Sequence, residues 1–104
     1  MIFHILFNYN QYNKVMDEKI QKVLEEKIRE STSKINEITT LVNSFEQMKN
    51  PNVFGHGIIT GRLYNSFYYQ SRRILKRNPT EQEFSEFIQL LKKHENELLE
   101  ISFS

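Results

Sequence analysis

Apolar residues recur along the first half of the chain at helical spacing. Leu24, Ile28, Ser31, Ile35, Ile38, Val42 and Phe45 are separated alternately by four and three residues. That is the heptad-like seam of a coiled coil or a long bundle helix. No Gly or Pro interrupts residues 11–49. Glu18 with Lys22, Glu25 with Arg29, and Glu30 with Lys34 stand four apart in the favourable order, each pair worth a few tenths of a kcal/mol to a helix. The pattern predicts a first helix over 11–49. Asn50-Pro51 should stop it, and residues 50–57, with Pro51, Gly55 and Gly57, read as a loop.

A second amphipathic segment covers residues 58–77. On a helical wheel Ile59, Leu63, Tyr64, Phe67, Tyr68, Ile74 and Leu75 share one half, whereas Arg62, Asn65, Tyr69, Arg72, Arg73, Lys76 and Arg77 share the other. A third helix is predicted over 80–101. It starts either with Asn78 as cap and Pro79 at the first helical position, or with a capping box from Thr80 to Glu83. Phe84, Phe87, Leu91, His94, Leu98 and Ile101 form its apolar seam, on which His94 reads as a polar specificity residue of the core or interface.

These elements predict an all-α fold: a long N-terminal helix followed by an antiparallel helical hairpin, within one domain. Length decides the assembly. The first helix would be about 54 Å long and each arm of the hairpin about 30 Å, so the hairpin covers only half of the first helix. Either that helix stays straight and a second copy covers the rest, through Ile28, Ile35, Ile38, Val42 and Phe45, or it breaks near Ser31-Thr32-Ser33 and the chain closes on itself. The seam keeps its phase across Ser31, which favours the straight helix and a homodimer.

Charge changes the picture in one place. Between Glu46 and Glu81 there is no acidic residue, while Lys49, Arg62, Arg72, Arg73, Lys76 and Arg77 lie in that window. The near-neutral total of +1 therefore hides a basic segment. Its second-helix part, Arg62, Tyr69, Arg72, Arg73, Lys76 and Arg77, is the candidate partner-binding face. Arg72 and Arg77 lie near the edge of the apolar half and could reach Glu83 or Glu95 of the third helix. An acidic protein surface is the first partner expected. Nucleic acid is the alternative for the same face, weakened by the near-neutral total.

Composition excludes more than it suggests. The chain has no Cys, so disulfides, thiolate metal sites and cysteine nucleophiles are ruled out, and a reducing, cytoplasmic setting is expected. No two histidines share a helical face at ligand spacing, so no metal or other cofactor is expected. No nucleophile motif or phosphate-loop glycine pattern occurs, and a non-enzymatic protein without a small-molecule substrate is expected. The apolar N-terminal segment within residues 1–10 is too short to span a bilayer, which needs about 20 apolar residues, and reads as a packing segment or strand. Alanine is absent as well. Close helix contacts must then use Gly61, Ser66 or Ser71, and the remaining seams should be wide.

Overall fold

The computed structural model describes residues 15–103. The segment expected at 1–10 and the first residues of the helix expected at 11–49 lie outside them. Every regular element among the described residues is helical: α1 (Glu18–Ser33), α2 (Ile35–Asn43), α3 (Pro51–Gln70) extended by a π-helical turn (Ser71–Leu75), α4 (Glu81–Lys93) and α5 (Glu95–Leu99).

The long first helix is broken. Asp17 caps α1, its Oδ1 accepting from the Lys19 and Ile20 amides at 2.8 and 3.2 Å. Lys34 leaves helical geometry at φ −97°, ψ 3° and separates α1 from α2. Around this break the hydroxyls bond back to the helix, Ser31 to the Lys27 carbonyl at 3.1 Å and Ser33 to that of Glu30 at 2.7 Å. Such bonds compete with the regular ladder and bend helices. The described chain extends 46 Å along its longest axis, less than the rod an unbroken helix would need. Both α1 and α2 pack on α3, which corrects the straight-helix expectation.

The expected loop at 50–57 is also corrected. Asn50 is a helix cap, its Oδ1 accepting from the Val53 amide at 3.1 Å, and Pro51 opens α3. Proline is as good a first helical residue as it is a stop signal. Gly55 and Gly57 therefore sit inside the helix, where Gly costs about 1 kcal/mol relative to Ala. At Gly55 a tertiary contact explains the choice. Phe103, 1% exposed, packs so closely that a Cβ at Gly55 would overlap its ring.

The third predicted helix begins as expected, with the full Thr80–Glu83 capping box. It breaks at His94 and ends at Leu99 rather than at 101. The tail then folds back on the start of α3. The Phe103 amide donates to Asn52 Oδ1 at 2.7 Å, and His56 Nε2 donates to the Ile101 carbonyl at 2.7 Å. At the other end of the described chain, the buried Glu86 carboxylate accepts from the Val15 and Met16 amides at 2.6 and 3.0 Å, fixing the entry to α1 against α4.

One apolar core joins these pieces. Ile20, Leu24 and Ile28 of α1, Ile38 and Val42 of α2, Ile59, Leu63 and Phe67 of α3, Phe87 and Leu90 of α4, and Phe103 are all buried in it.

Candidate binding face on α3

The six residues of the predicted face fall into two groups. Arg72 and Arg77 stitch the α3–α4 turn together. Arg77 forms a two-pronged ion pair with Glu83 at 2.7 and 3.2 Å and also donates to the Asn78 carbonyl at 3.0 Å. Its hydrogen bonds hold the Glu83 carboxyl below the usual carboxylate range, and Glu83 in return raises the Arg77 guanidinium. Glu83 also accepts from the Thr80 amide at 2.8 Å, so one buried acid serves the helix cap and the ion pair together. Arg72 reaches Asn78 Oδ1 at 2.8 Å, not an acid, and its guanidinium lies 5.5 Å from the centre of the Tyr68 ring. Lys76 is exposed at the tip of the turn in the left-handed conformation, φ 60°, a geometry that suits glycine better than lysine.

The second group runs along α3. Arg62, Asn65, Ser66, Tyr69, Gln70 and Arg73 follow one another at helical spacings of three, one, three, one and three, which makes one polar stripe. Tyr69 is 58% exposed. Arg73 is exposed and donates from Nε to Gln70 Oε1 at 3.2 Å. Arg62 is half-buried, because α1 lies beside this stripe instead of leaving it fully outward.

Lys27 of α1 closes the stripe into a cleft of about 260 Å³, lined also by Arg62, Asn65, Ser66, Tyr69 and Gln70. Among the described residues no carboxylate lines it. Lys27 escapes a sequence reading because it lies 35 residues before Arg62, and only the α1–α3 packing brings the two together. Asn65, Ser66 and Gln70 were legible as the continuation of the stripe but carry no charge to draw notice. On the other side of Arg62 lies a larger cleft of about 570 Å³ between α2 and α3, where Lys34 pairs with Glu37 at 3.7 Å. A third, mainly apolar groove of about 260 Å³ separates α3 from α4 and α5, with Ile59, Ile88, Leu91 and Leu98 on its walls.

The residues expected to join two copies are in part covered within one chain. Ile28, Ile38 and Val42 are buried within a single chain, and Ile35 is half-buried. Phe45 is 51% exposed and lies edge-on to Phe54 at 5.3 Å. The break at Lys34 folds onto α3 the stripe that a second copy was expected to cover. His94 is a helix-breaking turn residue, half-buried, with Nδ1 3.1 Å from Glu97 Oε2.

Among the described residues no helix is long and apolar enough to cross a membrane, and no three His, Cys, Asp or Glu side chains converge as a metal site would require. Comparison with protein-family models, curated proteins and solved structures finds no match to this chain.

Proposed function

We propose that the protein is a non-enzymatic interaction or regulatory protein, acting in the cytoplasm, that docks on an acidic protein surface through α3 and the turn that follows it. One observation carries the reading. Of the six cations in the acid-free window, Arg77 alone has an ion-pair partner among the described residues. Arg72 and Arg73 are held by the neutral amides of Asn78 and Gln70. Their positions are set while their charge stays uncompensated, as a surface prepared for an acidic partner requires. Tyr69, exposed among them, supplies the aromatic anchor common in such interfaces. The binding unit in this reading is one chain, since Ile28, Ile38 and Val42 are already covered within it.

The test is fluorescence anisotropy with a labelled poly-glutamate peptide and a single-stranded oligonucleotide of equal charge, across a salt series. The acidic peptide should bind, and Arg73→Glu combined with Lys76→Glu should abolish binding with the melting temperature nearly unchanged, because exposed charges add little to stability. A folded double variant that binds like the wild type would overturn the reading. Binding of the oligonucleotide alone, falling log-linearly with salt, would identify a nucleic-acid surface instead.

A further inference from the structure

We infer that the cleft between α1 and α3 is an oxyanion site that takes a phosphate monoester group. It shares Arg62 and Tyr69 with the docking face and rests on that reading only in naming the chemistry that one part of the acidic partner would present. The site itself stands on separate observations.

The first is Ser66. The two other buried serines bond back to the carbonyl four residues earlier, Ser31 to Lys27 at 3.1 Å and Ser71 to Phe67 at 2.8 Å, whereas Thr39 Oγ1 on α2 and Ser66 Oγ do not. Ser66 is equally helical and 6% exposed, yet its Oγ is shielded from solvent and has no hydrogen-bond partner among the described residues. Leaving such a group unsatisfied costs about 1–3 kcal/mol. Ser66 lines the cleft, and rotation of its side chain about Cα–Cβ would turn the shielded hydroxyl toward an oxyanion bound there.

The second is the donor set. Lys27 and Arg62 face the cleft from opposite helices, and neither has an ion-pair partner among the described residues. Asn65, Tyr69 and Gln70 add neutral donors. Arg73 occupies Gln70 Oε1 at 3.2 Å, which leaves the amide NH₂ of Gln70 for a ligand. A guanidinium, an ammonium, a hydroxyl and side-chain amides, with no carboxylate among the described residues, match the several acceptor oxygens and double charge of a phosphate monoester. The neighbouring cleft beyond Arg62 contains Glu37, which would repel the same ligand. The volume of about 260 Å³ is far above the roughly 30 Å³ share of one water and leaves room for the atoms that carry the phosphate.

The experiment is a ¹⁵N-correlation NMR titration of the full chain with three probes: inorganic phosphate, an acidic peptide containing one phosphoserine, and its unphosphorylated twin. Inorganic phosphate and the phosphopeptide should both give saturable shifts at the Lys27, Asn65, Ser66 and Gln70 amides, and the unphosphorylated twin should not. Tighter binding by the phosphopeptide assigns the site to a phosphate on a partner; equal binding assigns it to the free anion. Arg62→Gln should weaken phosphate binding at least tenfold, Ser66→Ala several-fold, and Arg73→Glu with Lys76→Glu much less. Lys27→Gln makes the same test from α1 should Arg62→Gln fail to fold. The inference is overturned if neither phosphate probe moves those amides, or if Arg62→Gln and Lys27→Gln bind phosphate like the wild type. Equal binding of both peptides with a silent cleft would sink this site while leaving the docking face standing. Phosphate binding unaffected by Arg73→Glu with Lys76→Glu, in a protein that ignores poly-glutamate, would do the reverse.

Discussion

Two seams flank α3, and they are built from different materials. Toward α4 the space is filled by rings. Phe67 and Phe87 stack with centroids 4.6 Å apart and planes 4° from parallel, and Tyr64, Tyr68 and Phe84 extend the cluster. Toward α1 and α2 the backbone of α3 approaches more closely, and buried serines, Ser31 and Ser66, stand with the aliphatic side chains. The ring-filled seam is mainly apolar. The close seam carries a polar cleft at Lys27, Arg62 and Ser66. Ring stacking and the polar cleft thus lie on two sides of one helix. Aromatic stacking needs thick spacers and supplies burial, whereas a cleft with charged walls needs a near approach of two helices and leaves polar groups incompletely satisfied.

The contrast can be broken most strongly at the ring-filled seam. Phe67→Ala removes a side chain 1% exposed together with its stack, and should cost about 3–5 kcal/mol in urea unfolding. A loss below about 1 kcal/mol would mean that the rings are replaceable filler.

The α3–α4 turn comes next. Glu83→Ala removes the capping box and the Arg77 pair at once and should cost about 2 kcal/mol. The pH dependence has a definite sign. Arg77 holds the folded-state pKa of Glu83 below its ordinary value, so the contribution is fully present above the unfolded pKa of about 4.3. It is lost as pH falls through the lower, folded value. Stability of the wild type should therefore fall more steeply below about pH 4 than that of Glu83→Gln; parallel acid limbs would show that the pair adds nothing.

A smaller effect tests close approach at the tail. Gly55→Ala should improve helix propensity by about 1 kcal/mol, yet it must expel Phe103, whose burial is worth up to about 3 kcal/mol. A net loss of about 1–2 kcal/mol is expected. Adding Phe103→Ala should then cost little more, because the contact is already gone. Gly57→Ala, with open space around it, should instead gain about 1 kcal/mol. If both glycine variants gain, Phe103 is not anchored there.

The finest test compares two serines of the same stretch. Ser66→Ala should stabilise by about 1 kcal/mol, since an unpaired buried hydroxyl is removed and Ala favours the helix. Ser71→Ala, which gives up a 2.8 Å bond to Phe67, should lose about 0.5 kcal/mol. Thermal melts of the two variants should move in opposite directions. A loss at Ser66 would show that its hydroxyl has a partner in solution and would remove the stability argument for a polar cleft.

Much of this was written locally. The helical character, the Thr80–Glu83 capping box and the acid-free basic window follow from residues within a few positions of one another. So does the absence of alanine, which foretold buried serines at Ser66 and Ser71; Gly61, expected with them, lies in open space, and Gly55 makes the close contact instead. The break at Lys34 and the start of α3 at Pro51 were misjudged because the local signals point both ways. A seam in phase across Ser31 permits a straight helix or two pieces, and Asn50-Pro51 can end one helix or cap the next.

What decides between such alternatives is burial that only the folded chain can arrange. The order of residues alone requires that apolar stripes be covered and puts Arg62, Arg73 and Lys76 within the acid-free window. The tertiary structure decided what covers those stripes. Folding α1 and α2 separately onto α3 buries Ile28, Ile38 and Val42 within one chain, removing apolar surface from water without a second copy. The same packing places Lys27 beside Arg62 and Phe103 against Gly55. Their separations along the chain, 35 and 48 residues, exceed the reach of any periodicity or capping rule, so these contacts arise only when the whole core closes.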